Sequence, residues 1–308
     1  MTLRRLLRHP TGRVGLLLIL LVTLVALAAP ALAPFDPYNL DHRTVRRARP
    51  GGVHWLGTDA FGNDILSKLI YGARISLVVG LSTGIIVTLT GAAMGIAAGY
   101  LGGLADTLVM RTADILFVIP GLPLMIMLAT YFGTRFYMII IIFTILGWAG
   151  VARMIRSQVL SLKSQNYVVA AETAGATSLY VMSRHILPAV SPLLIVNGVL
   201  ASAGVMVAEA GLSFLGFGDP VAVSWGKMLQ EAQANHGLLF RAWWWIIPPG
   251  LAIFVTVLGF MLTGYALEEI FNPQVRRARM SQRLFRRLRK DPSLLTLDEP
   301  AGGGAVNA

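Results

Sequence analysis

The sequence contains no cysteine among its 308 residues, and only 13% of its residues are charged. Without cysteine the chain forms neither a disulfide nor a thiolate metal site, although this absence does not identify a compartment. A soluble domain usually carries about twice this charged fraction. Together with 55% hydrophobic residues and a mean hydropathy of +0.67, the composition excludes an ordinary soluble globular protein.

Patterns that bind metals or nucleotides are also missing from the sequence. None of the five histidines has metal-ligand spacing with another histidine or a carboxylate. Gly226-Lys227 does not belong to a P-loop, because Met228 stands where that motif needs serine or threonine. We therefore expect this chain to carry no metal site, no cofactor site and no catalytic residue.

Long apolar runs are the main feature that is present. A membrane-spanning helix needs about 20 predominantly apolar residues, and the runs near this length cover residues 14–35, 75–105, 115–134, 136–152, 186–208 and 242–267. We therefore predict an all-α membrane protein with about six transmembrane helices. The first run resembles a signal peptide, but its apolar core exceeds the usual length of about 7 to 15 residues. We expect it to remain as an uncleaved helix.

Lysine and arginine residues predict the orientation of the chain. Eight of the 26 lie between Arg276 and Lys290, and four precede the first run. Cytoplasmic segments carry an excess of these residues, so the basic charge indicates membrane topology rather than nucleic-acid binding. The predicted organisation is a cytoplasmic N-terminus (1–13), a first helix (14–35), an external loop (36–74), a core (75–270) and a basic cytoplasmic tail (271–308) with a disordered end.

Two predictions concern the external side of the membrane. Thr58 or Asp59 is expected to cap a short helix over residues 63–71, because both residue types favour helix N-termini. The aromatic residues at 240 and 243–245 are expected at the outer membrane interface, where amphipathic rings accumulate. Six basic residues in the loop 36–74 oppose the predicted orientation, but long loops follow the charge rule weakly.

Glycines recur at intervals of four in the second apolar run. The glycines of this pattern are Gly91, Gly95, Gly99 and Gly103. This spacing places them on one helix face, where a second backbone approaches closely. We interpret the pattern as helix packing, without a direct role in function.

The segment between the fourth and fifth runs predicts a helix-turn-helix. Residues 167–174 are rich in alanine and favour a helix, and Gly175 ends it by adopting a positive φ. Pro188 opens the next run near its first turn, where proline is tolerated. An exposed element of this kind can seat in a groove on a soluble partner; a simple connector is the alternative.

This segment resembles the EAA loop of ABC-importer permeases. The family pattern is Glu-Ala-Ala, three residues, glycine, nine residues, a hydrophobic residue or histidine, one residue, and Leu-Pro. The residues that match in register are Ala170, Ala171, Gly175, His185, Leu187 and Pro188. Val169 departs from the pattern, because it stands where the family usually has the glutamate that contacts the ATPase. Glu172 follows three residues later, and its ability to substitute is left open.

Other motifs resemble the second membrane subunit (C-type) of dipeptide, oligopeptide and nickel permeases. They are His54-Trp55-Leu56-Gly57-Thr58-Asp59, Gly62-Asn63-Asp64, Tyr71-Gly72-Ala73-Arg74, the stretch 211–218 and Ser224-Trp225-Gly226. Asn63 replaces an arginine that is usual in the family. The likeness covers about residues 8–275, and several motifs occur in the right order.

The resemblance implies a type I ABC importer permease fold and a specific function. The chain would form half of a pathway for di- or oligopeptides, with nickel or another small solute as the alternative substrate. The loop 163–185 would couple it to an ATPase through Tyr167, Ala170, Ala171, Glu172, Gly175, Ala176, His185, Leu187 and Pro188.

The resemblance also implies partners and a location. The partners would be a homologous permease subunit, two cytoplasmic ATPase subunits that bind ATP and magnesium, and an external substrate-binding protein. The chain would lie in the bilayer of the cytoplasmic membrane and would bind no cofactor or nucleic acid. An ion-driven secondary transporter is the rival function; it predicts inverted repeats and ionisable residues near the membrane midplane, and the sequence shows neither.

Charged residues near the predicted span ends have two interpretations each. Arg111 and Asp114 are three residues apart, so we expect them to pair on one helix face; contact with the transport machinery is the alternative. Glu209 follows the fifth run and either lines the pathway or lies at the outer surface.

Overall fold

The structure, a computed structural model, describes residues 2–38 and 45–271. The predicted tail 271–308 therefore lies outside the described residues, apart from Phe271. The helices are α1 (Thr2–Arg8), α2 (Pro10–Leu27), α3 (Ala29–Leu32), α4 (Ile65–Leu101), α5 (Gly103–Val118), α6 (Gly121–Phe132), α7 (Phe136–Lys163), α8 (Asn166–Thr173), α9 (Ser178–Val181), α10 (Leu187–Leu212), α11 (Trp225–Ala234) and α12 (Trp243–Phe271). Two π-helical turns, Met182–Ile186 and Ser213–Phe217, flank α10.

In the described part of the chain, five helical segments are long and apolar enough to cross a membrane: α2, α4, α7, Ser178–Phe217 and α12. The predicted run 115–134 is instead divided between α5 and α6, which are bent by 95° relative to each other. Ile119 at the break has extended backbone, because the following Pro120 disfavours the α conformation of the residue before it.

Glycine contacts fix the directions of the long helices. Gly91 of α4 faces Val151 of α7, and Gly99 faces Val159, so the two helices run in the same direction. The chain between them must return through the thickness of the bundle, and α5 with α6 makes that return. The bent pair is thus one crossing, and the prediction of an all-α membrane protein with about six crossings is confirmed.

The other long helices run antiparallel to their neighbours. Gly84 of α4 abuts Ser202 of α10, and four residues earlier Gly80 abuts Met206. Helix α2 packs against α12 in the same manner, and His9 lies 3.4 Å from Glu269. The N-terminus of α2, the C-terminus of α12 and the α8–α9 segment therefore share one end of the bundle. We name this the inner end and the opposite one the outer end.

The glycine face of α4 permits close contact with α7. A Cβ added to Gly95 would lie 2.6 Å from the Ala152 carbonyl oxygen, a distance that real Cβ atoms do not tolerate. Gly103 does not share this face. Helix α4 ends at Leu101, and Gly103 begins α5 with φ of 54° and open space around its Cα. The spacing rule misplaced Gly103, because spacing alone does not show where a helix ends.

The N-terminus of α4 differs from the prediction. Asp64, rather than Thr58 or Asp59, caps the helix, because its carboxylate accepts the Ser67 N–H at 2.8 Å. The predicted short helix is the first part of α4 itself. Residues 65–74, which were predicted to belong to the loop, are thus helical. Residues 45–64 and α11 together cover the outer end, and we name them the outer cap.

The tryptophans at the start of α12 also differ from the prediction. Trp244 is 5% exposed and Trp245 is fully buried, so neither ring faces lipid headgroups. The Trp244 indole N–H donates to the Thr58 carbonyl at 3.5 Å. Packing these rings against the outer cap removes a large apolar area from solvent. Phe240 and Trp243 remain exposed, as an interface position requires.

Candidate functional site

The helix-turn-helix predicted from the sequence projects from the inner end. Helices α8 and α9 are joined by a short turn in which Gly175 has φ of 85°, a conformation that glycine adopts without steric cost. The Thr177 hydroxyl caps α9 by accepting the Tyr180 N–H at 3.4 Å. We name residues 166–186 the coupling loop, after the ATPase coupling that the resemblance implies for residues 163–185.

The inward side of the coupling loop is packed against three long helices. Val168, Val181 and Ile186 are fully buried. Their cluster includes residues of α4, α7 and α10, namely Val87, Ile96, Tyr100, Val151, Ile155, Val159 and Val190. Burying each such side chain stabilises the contact by roughly 1.5–3 kcal/mol. The loop is therefore in direct packing contact with all three helices.

A polar contact reinforces this packing. The Tyr100 hydroxyl donates to the Glu172 carboxylate at 2.7 Å, and the Lys163 ammonium donates to the Tyr100 carbonyl at 2.7 Å. Glu172 is itself exposed and lies three residues after Val169, which is 48% exposed, so the two side chains are neighbours on α8.

The outward side of the coupling loop carries both apolar and polar side chains. We name its exposed apolar residues the outward face; they are Tyr167, Val169, Ala170, Leu179 and Tyr180. Exposed polar or charged residues of the loop include Glu172, Thr173, Thr177, Ser178, Ser183 and Arg184. The His185 ring contacts both tyrosine rings, at centroid distances of 6.1 and 5.8 Å, and so connects α8 with the turn after α9.

The remaining predicted loop residues occupy two other positions. Ala171 and Ala176 are partly buried against the inward cluster. Leu187 and Pro188 begin α10 and are exposed beside the loop. The loop motif therefore contains residues that attach it to the bundle as well as residues that a partner can reach.

A cavity of about 560 Å³ opens on the face formed by α5, α6, α7 and α10. Its walls include Phe117, Met125, Phe143, Gly147 and Val205. Among the described residues that line it, Asn197 has the only polar side chain, and its amide donates to the Leu193 carbonyl at 2.9 Å. The cavity is thus an apolar half-channel that is open on one side.

Charged residues at the inner mouth of this cavity pair between helices. Contrary to the prediction, Arg111 and Asp114 do not pair with each other. Asp114 accepts a hydrogen bond from Arg153 of α7 at 2.6 Å, and Asp106 accepts two from Arg156. The sequence prediction was wrong because it considered only neighbours on one helix, whereas α7 brings two arginines to α5.

Glu209 does not lie at the outer surface. It is 3% exposed and accepts the Ser213 hydroxyl proton at 2.7 Å, and it is absent from the described lining of the apolar cavity. Gly226 packs against Ala210 and Ser213 at the same place, where a Cβ would clash. The motifs at 211–218 and 224–226 therefore form one tight junction between α10 and α11.

The outer cap holds an ion cluster that sequence reasoning missed. Lys68 is 4% exposed and donates to Asp59 at 3.0 Å and to Glu231 of α11. The Trp225 indole N–H donates to the Leu69 carbonyl at 2.9 Å in the same region. The sequence contained one signal for this cluster, a lysine in a segment predicted to be an external loop. That lysine does not reveal its partners, because they are up to 163 residues away.

Comparison with known proteins identifies the family. Residues 91–277 match the family described as binding-protein-dependent transport system inner membrane component, and residues 1–50 match the N-terminal TM domain of oligopeptide transport permease C. The chain is 36% identical over 279 residues to the dipeptide transport system permease protein DppC of Bacillus subtilis, covering 89% of this chain and 85% of that protein.

Two further relatives agree with this assignment. The chain is 36% identical over 265 residues to the oligopeptide transport system permease protein OppC of Bacillus subtilis, covering 86% of each protein. It is 32% identical over 271 residues to a putative peptide permease protein of Brucella suis, covering 88% of this chain and 89% of that protein. The chain therefore belongs to the binding-protein-dependent transport system inner membrane component family, as a multi-pass ABC-importer permease subunit of the C type.

Proposed function

We propose that this chain forms one half of the translocation pathway of an ATP-driven importer of di- or oligopeptides. The named relatives support the substrate class, since they are dipeptide, oligopeptide and peptide permeases. The observation that carries the proposal is the coupling loop, which is firmly packed on its inward side and exposes large side chains such as Tyr167, Leu179 and Tyr180 on the other. Two cytoplasmic ATPases, one on this loop and one on a homologous permease, would supply the energy.

The packing of the loop supports a path for mechanical coupling. Closure of the ATPases would displace α8, and the buried cluster would carry this movement to α4, α7 and α10. Helices α7 and α10 also line the apolar cavity. A tilt of their inner ends would therefore change the opening of the half-channel. Hydrolysis itself would occur in the ATPase subunits, which bind ATP and magnesium.

The inner end is proposed to be cytoplasmic. Arg4, Arg5 and Arg8 lie on α1 at this end, and Lys163 and Arg184 flank the coupling loop. Cytoplasmic segments carry such an excess of basic residues. An external binding protein would then deliver its substrate at the outer end, beside the outer cap.

The cavity wall supports a substrate of variable side chains. A wall with one amide among apolar side chains offers few directional contacts, so it discriminates weakly among peptides. Selection would then rest with the external binding protein. A homologous permease subunit would close the open side of the half-channel.

A pull-down from native membranes in mild detergent tests the proposal. The tagged wild-type chain is expected to recover a second permease and ATPase subunits, identified by mass spectrometry. Gly175→Asp is expected to lose the ATPases while it keeps the second permease. Gly133→Asp is the matched control, because Gly133 also has positive φ and open space but lies at the outer end. A folded, transport-active chain that is repeatedly recovered alone would contradict the proposal and favour a secondary transporter.

A further inference from the structure

A polar pocket of about 280 Å³ lies at the outer end of the bundle, between the residue before α7, the π-helical turn after α10, and α11. Its lining differs from the wall of the apolar cavity, because hydroxyl, amide and ammonium groups occur in it together. The side chains that provide them are Thr134, Ser213, Lys227 and Gln230. A pocket of this size holds the end of a chain rather than a whole ligand, since complete ligand sites usually measure about 300–1,000 Å³.

The pocket lies outward of the apolar cavity along α10. Ala208 lines the cavity and Ser213 lines the pocket, and the five residues between these positions span roughly 8 Å of helix. Phe217, in the same π-helical turn as Ser213, packs with Met125 and Phe143, which belong to the cavity wall. A substrate that enters from the outer end would therefore meet the polar pocket before it reaches the cavity.

The Lys227 ammonium forms no ion pair within the described part of the chain. It donates to the backbone carbonyl of Asp219 at 3.0 Å and to that of Pro220. The carboxylates in its neighbourhood are bound by other groups: Glu231 accepts from Lys68, and the Asp219 carboxylate accepts three backbone N–H groups. Burial lowers the pKa of the Lys227 ammonium, and the attraction of these two carboxylates does not offset that effect.

Several hydrogen-bond donors of the pocket remain free. An ammonium group has three N–H donors, and Lys227 uses two of them on the carbonyls. The side chains of Thr134 and Gln230 make no hydrogen bond within residues 2–38 and 45–271. Gln230 lies three residues after Lys227, so both side chains lie on one face of α11. A cation with neighbouring neutral donors suits a carboxylate, because charge-assisted hydrogen bonds are about twice as strong as neutral ones.

We propose that this pocket receives the terminal carboxylate of an incoming peptide, with Lys227 as its counter-charge and with Thr134 and Gln230 as further donors. The proposal rests on the proposed import of peptides and adds a binding site to it. Every di- or oligopeptide with a free C-terminus carries this carboxylate, whatever its sequence. The pocket thus recognises the end that these substrates share, while the apolar cavity accepts their variable side chains.

Import of matched peptides tests the inference. The complex of this chain with its partner subunits and binding protein is reconstituted in vesicles that contain ATP. The probes are dialanine, trialanine and tetra-alanine, each with a free carboxylate or a C-terminal amide. In Lys227→Met the preference for carboxylate over amide is expected to fall about tenfold relative to the wild type, because a hydrogen bond to a charged group is lost. The binding protein is the same in both complexes, so its own preference cancels.

Two further variants complete the design. Arg74→Met removes an exposed cation of α4 outside the pocket and is expected to keep the wild-type preference. Gln230→Ala serves where Lys227→Met does not assemble, because the Gln230 side chain makes no hydrogen bond in the described residues. Its preference is expected to fall about threefold, as for the loss of one neutral hydrogen bond.

The outcomes separate the pocket from the import function. Equal losses of carboxylate and amide import in Lys227→Met would show that this lysine supports the fold or binds a lipid headgroup, and would overturn the inference. An unchanged preference in Gln230→Ala would overturn it too, as would a wild-type complex that imports both forms equally; both results leave peptide import intact. Wild-type vesicles that import none of these peptides would contradict the proposed function as well.

Discussion

The outer cap and the coupling loop close opposite ends of one bundle by different means. In the outer cap, Lys68 is almost fully buried between Asp59 and Glu231. In the coupling loop, the buried Tyr100 donates to the exposed Glu172, and the loop is held to the bundle mainly by the packing of Val168, Val181 and Ile186. The outer cap thus depends on an ion cluster within the chain, whereas the coupling loop depends mainly on apolar packing.

The same difference is visible in the aromatic residues. Trp225, Trp244 and Trp245 are buried at the outer end, and two of them donate hydrogen bonds to backbone carbonyls. At the inner end, Tyr167 and Tyr180 are about half exposed. Similar residue types are therefore buried or exposed according to the segments that pack over them.

Breaking the buried ion cluster is expected to give the largest effect. Lys68→Met leaves Asp59 buried without its cation, and removing one partner of a buried pair costs about 3–5 kcal/mol. The measurement is the unfolding transition of the purified protein in detergent. Arg74→Met is the matched control on the same helix, because Arg74 is exposed, and its effect should stay within about 0.5 kcal/mol. Equal effects of the two substitutions would show that the outer cap does not depend on its ion cluster.

The glycine contact between α4 and α7 is expected to be the next most sensitive. Gly95→Ala forces a Cβ against the Ala152 carbonyl and Ile155, and overpacking of this kind costs about 1–3 kcal/mol. Gly211→Ala on α10 serves as the control, since open space surrounds that glycine, and it should be neutral or slightly stabilising. Unfolding transitions of both variants measure the difference. A neutral Gly95→Ala would show that the two helices separate easily.

Local patterns in the sequence predicted the spans and the coupling loop, because both depend on neighbouring residues. The lengths of the apolar runs predicted the crossings. Gly175 and the helix-favouring segments on either side of it predicted the helix-turn-helix. The exposure of Val169 and the burial of Val168 followed only from the structure, since sequence alone does not show which side of α8 is buried. The contact of Glu172 with Tyr100 joins residues that are 72 positions apart.

Contacts between distant segments account for the wrong predictions. Asp114 was assigned to Arg111 on its own helix, but Arg153 reaches it from α7. Trp245 was expected at the membrane interface, but the outer cap covers it. In each case a long-range partner overrode a local preference, and periodicity carries no information about such partners.

Asp219, at the outer end, is expected to make a smaller contribution to stability, and this contribution should depend on pH. Burial alone raises the pKa of its carboxyl, but the N–H groups of Val221, Phe136 and Ala222, with the Arg135 guanidinium, outweigh this and hold the pKa below its usual range. Its stabilisation is therefore complete above the ordinary value of about 4 and is lost as pH falls through the lowered pKa.

Asp219→Asn should remove this contribution. The substitution eliminates one of two acceptor oxygens, and we expect a loss of about 1 kcal/mol at neutral pH. Unfolding transitions from pH 7 to pH 3 should show the wild type and the variant converging as the solution becomes acidic. A difference that stays constant across this range would show that the charge of Asp219 is not the source of its stabilising effect.

The smallest effect on stability is expected at the coupling loop. Tyr100→Phe removes a hydroxyl that donates to a carboxylate at an exposed edge, so water can replace it and the free energy of unfolding should fall by less than about 1 kcal/mol. Amide hydrogen exchange should nevertheless become faster in α8 and stay unchanged in α11. Tyr167→Phe is the control, because the Tyr167 side chain is on the outward face. A loss of stability as large as that of Lys68→Met would show that a polar contact stabilises the coupling loop as strongly as the ion cluster stabilises the outer cap. The contrast between the two ends would then fail.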